Sequence, residues 1–282
     1  MILSYHPFFY GHVFRFYAGR SINARDKSLM KKATGIILPQ GRLPELHAEA
    51  VRNCTLVFPD YSCRYLYPGK VGDIQLFQDL GLPHPRTDIF ASQDQCSPEY
   101  WEQINYPVVI KHNTGGEGRL VYFVHNPQEA RQIMDIFAGM EKSGFPGFLV
   151  QEVVRTDHGT LRVVVMHNHI YSYWRVQPQG ENFKHNLAQG GKIDWESSPD
   201  LQARGRDLTR RLCAGSGMNL AGIDILFDRD STSGPSPLLL EINYFFAYHG
   251  LGGLQGYHEL LKKALREWLV DHELPLPPKD FG

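Results

Sequence analysis

Val108-Val109-Ile110-Lys111-His112-Asn113-Thr114-Gly115-Gly116-Glu117-Gly118-Arg119 is the stretch on which the reading of this chain turns. An apolar run delivers a lysine straight into a loop with three glycines in four positions. Glycine admits dihedrals closed to other residues and lets a ligand approach the backbone closely. Amides of such a loop can therefore wrap phosphate oxygens while the lysine supplies charge. The spacing is not GxxxxGK[ST], and the loop leads into a second strand-like run, 119–124, rather than into a helix. Both the Walker and the Rossmann geometries are thereby disfavoured. Taken alone, a flexible hairpin loop with a solvated lysine explains the stretch equally well.

The segments around it alternate between strand and helix patterns. Upstream, 87–90 reads as a strand, 98–104 as a helix and 107–111 as the strand carrying Lys111. Downstream, 127–137 reads as a helix and 148–152 as a strand, giving a small α+β unit. A hairpin follows, with strands 161–166 and 170–176 around a polar turn at His167-Asn168. Next come a helix over about 199–214, a strand 221–227, a loop rich in Ser, Gly and Pro at 229–237, and a strand 238–242. The chain ends in an amphipathic helix carrying Leu254, Tyr257, Leu261, Leu265, Trp268 and Leu269, then an extended Pro-rich tail. Before Lys70, a short buried strand at 35–38, a helix over 43–53 and a strand at 55–58 suggest an α/β unit with parallel strands. Lys70 opens a helix through Leu80, which Gly81-Leu82-Pro83 stops.

Bulk properties exclude several classes. The 282 residues carry a formal net charge of −1 and a pI near 6.9, so there is no electrostatic footprint for nucleic acid or an anionic membrane. No run approaches the ~20 apolar residues that span a bilayer, and the first residues lack a signal-peptide pattern. Cys54, Cys63, Cys96 and Cys213 show no metal or redox spacing and read as buried thiols, with the cytoplasm as the expected location. His167 and His169 read as solvated turn residues rather than a zinc site.

Two further constellations carry chemistry. Glu241 and Asn243, two apart on one strand, leave by the same face, and Asp224 lies at the matching register of the adjacent antiparallel strand. Three hard oxygen donors among apolar residues suit Mg²⁺, which takes carboxylates together with water and phosphate. The competing reading is the solvent face of an edge hairpin. Arg162, Arg175 and Lys184 lie on the 161–176 hairpin and the loop after it, where they can converge on an anion, although each singly reads as a surface charge.

In this order and spacing the segments resemble the ATP-grasp fold, and specifically its RimK-like branch of carboxylate–amine ligases, from Lys70 to about Gly253. The resemblance implies two α+β subdomains clasping a nucleotide, preceded by a small α/β pre-ATP-grasp domain. The implied division is 1–69, 70–154 for the lid subdomain, and 155–282 for the subdomain with the metal site. It implies that Lys111, assisted by Lys70, contacts the α- or β-phosphate and that the loop of Gly115 and Gly116 closes over the phosphates. Gln151, Glu152, Val153 and Val154 match the adenine hinge. Lys184 and Asn186 fall on an Arg-Ser-Asn segment that reaches phosphate, and Asp224, Glu241 and Asn243 match the magnesium ligands. Arg175 and Arg162 would face the transferred phosphoryl group or the acceptor carboxylate.

The implied chemistry is ATP- and Mg²⁺-dependent (Mn²⁺ being an alternative ion), joining a small-molecule or peptide carboxylate to an amine through an acyl phosphate. A homodimer is a family-level expectation. Three departures stand out. The acidic residue that holds ribose is missing before Arg162, leaving Asp157 as the substitute. Lysine stands for arginine at Lys184 and loses the bidentate fork. The 229–237 loop is long. Two alternatives follow: an ATP-binding regulatory protein with reduced catalysis, and a phosphotransferase with a non-amine acceptor.

Overall fold

The structure, a computed structural model, describes residues 1–41, 43–116, 118–176, 192–232 and 234–277. Three sheets organise them, each built by period-two alternation that sends successive side chains into different cores.

The first sheet comprises β1 (Ile2–Ser4), β2 (Val13–Phe14), β3 (Gly35–Ile37) and β4 (Val57–Phe58), all parallel in the order β2-β1-β3-β4, with α1 (Ala24–Lys32) and α2 (Pro44–Asn53) as crossovers. Leu3, Ile36 and Val57 join Met30, Leu46 and Ala50 on one side. Their neighbours Ile2, Ile37 and Phe58 point the other way, against the chain's last helix. Burial on both faces is why these strands read as unbroken apolar runs. Strand β1 was not anticipated, because a three-residue run carries too little pattern. The chain then runs through α3 (Ser62–Leu66) and α4 (Gly69–Asp79).

The second sheet is antiparallel, in the order β5-β8-β6-β7, from β5 (Thr87–Phe90), β6 (Val108–His112), β7 (Val121–Val124) and β8 (Phe148–Glu152). α5 (Tyr100–Gln103) and α6 (Pro127–Lys142) accompany it. Val108, Ile110, Val124, Phe148 and Val150 pack with Trp101, Ala130, Ile133 and Phe137. The alternate positions Val109, Lys111, Val121, Phe123 and Gln151 line a cavity instead.

The third sheet is also antiparallel, in the order β11-β10-β9-β12-β13. Its strands are β9 (Thr160–Met166), β10 (His169–Val176), β11 (Lys192–Asp194), β12 (Leu220–Asp228) and β13 (Ser236–Asn243), with α7 (Pro199–Ser216) against it. α8 (Gly253–Asp271) lays Tyr257, Leu261, Leu265, Trp268 and Leu269 between this sheet and the first. Ile74, Leu76, Phe77 and Leu82, from α4 and the turn after it, enter the core of the third sheet together with Leu161, Leu208 and Ile225. α4 also packs against β5 and β8 of the second sheet, and Leu149 of β8 shares this core, so the helix stands between the two sheets. Among the described residues no helix is long and apolar enough to cross a membrane, and the four cysteines are free thiols.

Candidate functional site

A cavity of about 1110 Å³ lies between the second and third sheets. Its floor is one face of the third sheet, read at alternate positions. Thr160 and Arg162 come from β9, Tyr173 and Arg175 from β10, Ile193 from β11, Asp224 and Leu226 from β12, and Glu241 and Asn243 from β13. The expected register is observed. Asp224 pairs with Glu241 and Gly222 with Asn243. A register shift follows at once, since Ile225 pairs with Leu239 and leaves Leu240 as an extra residue. Such a bulge re-aims side chains, and here Leu240 and Glu241 both line the cavity while Leu239 and Ile242 stay in the core.

Charge is concentrated on this floor. Arg162 donates to Asp224 through Nε (2.6 Å) and Nη2 (3.2 Å), and Arg175 Nη2 lies 2.8 Å from the same carboxylate. Asn243 Nδ2 donates to Asp224 Oδ2 at 3.2 Å. Burial alone would raise the Asp224 carboxyl, but the two guanidiniums outweigh it and hold it below the usual carboxylate range. Arg175 Nε is buried with no partner among the described residues. Burial draws the Arg175 guanidinium below its ordinary value. Lys70, one residue into α4, places Nζ 2.7 Å from Glu241 Oε1. Lys111 Nζ donates to Gln151 Oε1 at 2.6 Å, and Gln151 donates in turn to Thr87 Oγ1. Burial pushes Lys111 down to about 8.

Lys111, Arg162, Arg175 and Lys192 line the cavity with Glu152, Asp224 and Glu241, and Lys70 reaches its edge through Glu241, so cations outnumber carboxylates, an imbalance that suits a polyanion. A divalent ion also fits the donor set, because two carboxylates and an amide converge from neighbouring strands. Among the described residues there is no group of three or more His, Cys, Asp or Glu side chains suited to a metal. A divalent ion held there would need further oxygens from water or phosphate, the set Mg²⁺ commonly takes.

Not every anticipated residue is at the cavity. Gln151, Glu152, Val153 and Val154 line it consecutively. In the glycine loop, Gly118 lines it, whereas Gly115 and Gly116 do not. Gly115 and Gly118 have φ of +110° and +74°, the left-handed region that glycine tolerates. The Asp157 carboxylate accepts from Arg229 on an exposed ion pair and is not a lining residue, while its neighbour Thr156 is. Lys184 and Asn186 lie outside the described residues. His167 and His169 flank a turn and pair with Asp271 and Glu267 of α8. Residues that sequence reasoning missed include Trp195, Phe245 and Tyr248, which also line the cavity. It also missed Asp73, a buried carboxylate that accepts from the Ile242 amide at 3.0 Å and that burial raises well above its usual range. The aromatics carry no motif. Asp73 was legible only as a charge interrupting the apolar face of α4.

Two α+β layers around a charged cleft, joined by the segment from 151 to 160 that lines it, are the architecture of an ATP-grasp protein. The RimK-like ATP-grasp domain model matches residues 69–253, and the chain belongs to that family. A probable alpha-L-glutamate ligase of Enterobacter sp. (strain 638) is 28% identical over 208 residues, covering 73% of this chain and 64% of that protein. The ribosomal protein bS6–L-glutamate ligase of Salmonella paratyphi B is 26% identical with the same coverage. The chain thus spans about 64% of the length of the curated relatives it matches. The RimK domain ATP-grasp protein of Sphaerobacter thermophilus superposes with a TM-score of 0.57 at 16% identity, over 85% of this chain and 81% of that one. The VanG D-Ala:D-Ser ligase of Enterococcus faecalis gives 0.62 at 14%, over 84% and 73%. These structural likenesses concern the fold.

Proposed function

We propose that this protein is an ATP- and Mg²⁺-dependent ligase that joins a carboxylate to an amine through an acyl phosphate. The observation that carries the reading is the cross-strand set Asp224, Glu241 and Asn243 facing Lys111, Arg162 and Arg175 in one cavity, with Lys70 paired to Glu241 at its edge. The names of the glutamate-ligase relatives support the same class of reaction. On this reading residues 1–69 are the pre-ATP-grasp domain.

Gln151 to Val154 hold the adenine, Lys111 and Lys70 bind phosphate oxygens, and Asp224, Glu241 and Asn243 would hold Mg²⁺, which neutralises phosphate charge when bound. A carboxylate oxygen of the acceptor, oriented by Arg175 and Arg162, attacks the γ-phosphorus. The bond from that phosphorus to the β–γ bridging oxygen breaks, and ADP leaves. The amine nitrogen then attacks the acyl carbon, the carbon–oxygen bond to phosphate breaks, and the ammonium proton passes to solvent. The protein contributes positioning and fixed charge rather than a nucleophile.

The melting temperature with ATP, with Mg²⁺ and with both tests the site. A ligand at ~100 times its dissociation constant adds about 2.7 kcal/mol to the folded state. We expect the full shift to need both ligands in wild type and to shrink in Glu241→Gln/Asn243→Ala. Absence of any nucleotide-dependent shift sinks the reading. ADP release that rises only when carboxylate and amine are both supplied separates a ligase from a regulatory binder, and product analysis excludes or reveals a phosphotransferase.

A further inference from the structure

We propose that Asp73 is a positioning residue for the metal-binding strand, acting through the Ile242 backbone amide that lies between Glu241 and Asn243. This rests on the reading above, in which those two side chains hold Mg²⁺. Strand β13 is the edge of its sheet among the described residues, so its outward amides face away from β12; on either side of the bulge these are Leu239 N, which donates to the Pro83 carbonyl at 2.9 Å, and Ile242 N. Ile242 is buried, and its amide has no strand to pair with on that side. Asp73 Oδ2 accepts it at 3.0 Å.

The geometry gives this bond a purpose beyond satisfying one amide. The extra residue at Leu240 breaks the ladder immediately before Glu241, where a bulged strand is free to bend. Asp73 fixes the strand two residues beyond that break. Lys70 lies three positions earlier on the same face of α4, where i and i+3 are neighbours, and it grips the Glu241 carboxylate at 2.7 Å. One helix thus holds the ligand strand by backbone and by side chain.

The helix is itself anchored by the glycine loop. The Asn113 carbonyl accepts from Lys70 N at 3.2 Å, and Asn113 Oδ1 accepts from Val71 N at 3.0 Å. The helix's own N-cap, Pro68, makes no side-chain cap bond, so a residue beside the phosphate loop of the opposite sheet does the capping. Asp73 does not line the cavity; its carboxyl lies close enough to Lys70, Lys111 and Glu241 to interact with them, so the test must separate the amide bond from charge.

The test compares Asp73→Asn, which keeps an oxygen acceptor, with Asp73→Leu, which removes it. Melting shifts are measured with ATP alone and with ATP plus MgCl₂ titrated over a wide range. We expect Asp73→Asn to keep the Mg²⁺-dependent increment at a half-saturating concentration within about threefold of wild type. Asp73→Leu should keep the ATP-only shift and need at least tenfold more Mg²⁺. If the leucine variant does not fold, Asp73→Ala takes its place with the same expectation. A variant without the acceptor that melts lower yet titrates with Mg²⁺ as wild type does overturns the proposal, because Asp73 is then only structural. Equal impairment of Asp73→Asn overturns it as well, because charge rather than the amide bond would matter. A wild type with no Mg²⁺-dependent increment overturns the metal site itself, and this inference with it.

Discussion

At the scale of single residues, the site is a balance of buried charges, so removing one member exposes the others. Asp224 is the counter-ion of both Arg162 and Arg175. Asp224→Ala leaves two buried guanidiniums without a partner, and losing one side of a buried pair costs about 3–5 kcal/mol. A large drop in denaturation midpoint is expected. Glu241 is partly exposed and pairs with Lys70 at the cavity. Glu241→Gln leaves the buried Lys70 without its carboxylate partner, so a cost above the ~1 kcal/mol of an exposed pair is expected, while ADP formation falls to background in a coupled assay. Retained turnover in that variant would remove Glu241 from the metal set. Lys111 gives a pH prediction. Burial lowers it to about 8, among Lys70, Asp73, Asp224 and Glu241. Between pH 8 and its ordinary range the unfolded chain binds the proton and the folded chain does not. The contribution of Lys111 to stability without ligand therefore rises with pH across that window. A phosphate beside Lys111 favours the charged form, so ATP binding takes up a proton above about pH 8 and weakens as pH rises. Calorimetric titration at several pH values, in buffers of different ionisation enthalpy, should show that uptake in wild type and not in Lys111→Met.

At the scale of elements, the join between α4 and the glycine loop is the sensitive point. Gly69 opens α4 with φ of +75°, and a Cβ there would strike the Asn113 side chain and backbone. Gly69→Ala meets a left-handed backbone penalty of roughly 1–2 kcal/mol and displaces the residue that caps the helix. We expect a lower melting temperature together with weaker ATP binding, since Lys70 shifts with the helix. A variant that melts lower with unchanged ATP affinity would show that the two are uncoupled. The bulge at Leu240 illustrates what alternation can and cannot reveal. Glu241 and Asn243 on one face follow from their spacing, and the pairing of Asp224 with Glu241 follows from antiparallel register. The bulge depends on how β13 meets its neighbours, and no pattern within the strand encodes it.

At the scale of the molecule, the parts are not separable. Ile2, Phe9, Ile37 and Phe58 from the first sixty residues share a core with Val164, Met166 and Leu220 of the third sheet, bridged by Leu261, Leu265 and Trp268 of α8. A chain starting at residue 69 would bare the face of α8 that this core covers, and an exposed apolar patch of that kind invites aggregation. The full chain should unfold in one calorimetric transition that ATP with Mg²⁺ raises as a unit. A separate early transition for the first sheet, unmoved by ligand, would contradict that single core.

The order of strands and helices, the lysine leading into the glycine turn, the placement of Gln151 to Val154 along the cavity and the cross-strand register of Asp224, Glu241 and Asn243 were legible in the sequence. Each is a local pattern of period, spacing or residue type, and local patterns survive in one dimension. The place of α4 between the second and third sheets, the sharing of Asp224 by two arginines, the bond from Asp73 to the edge strand and the aromatic residues of the cavity lining were decided only by tertiary structure. Those features join residues far apart in the chain. The free energy that selects them comes from burying charge and backbone amides in one small volume, and that volume exists only once the sheets have closed around it.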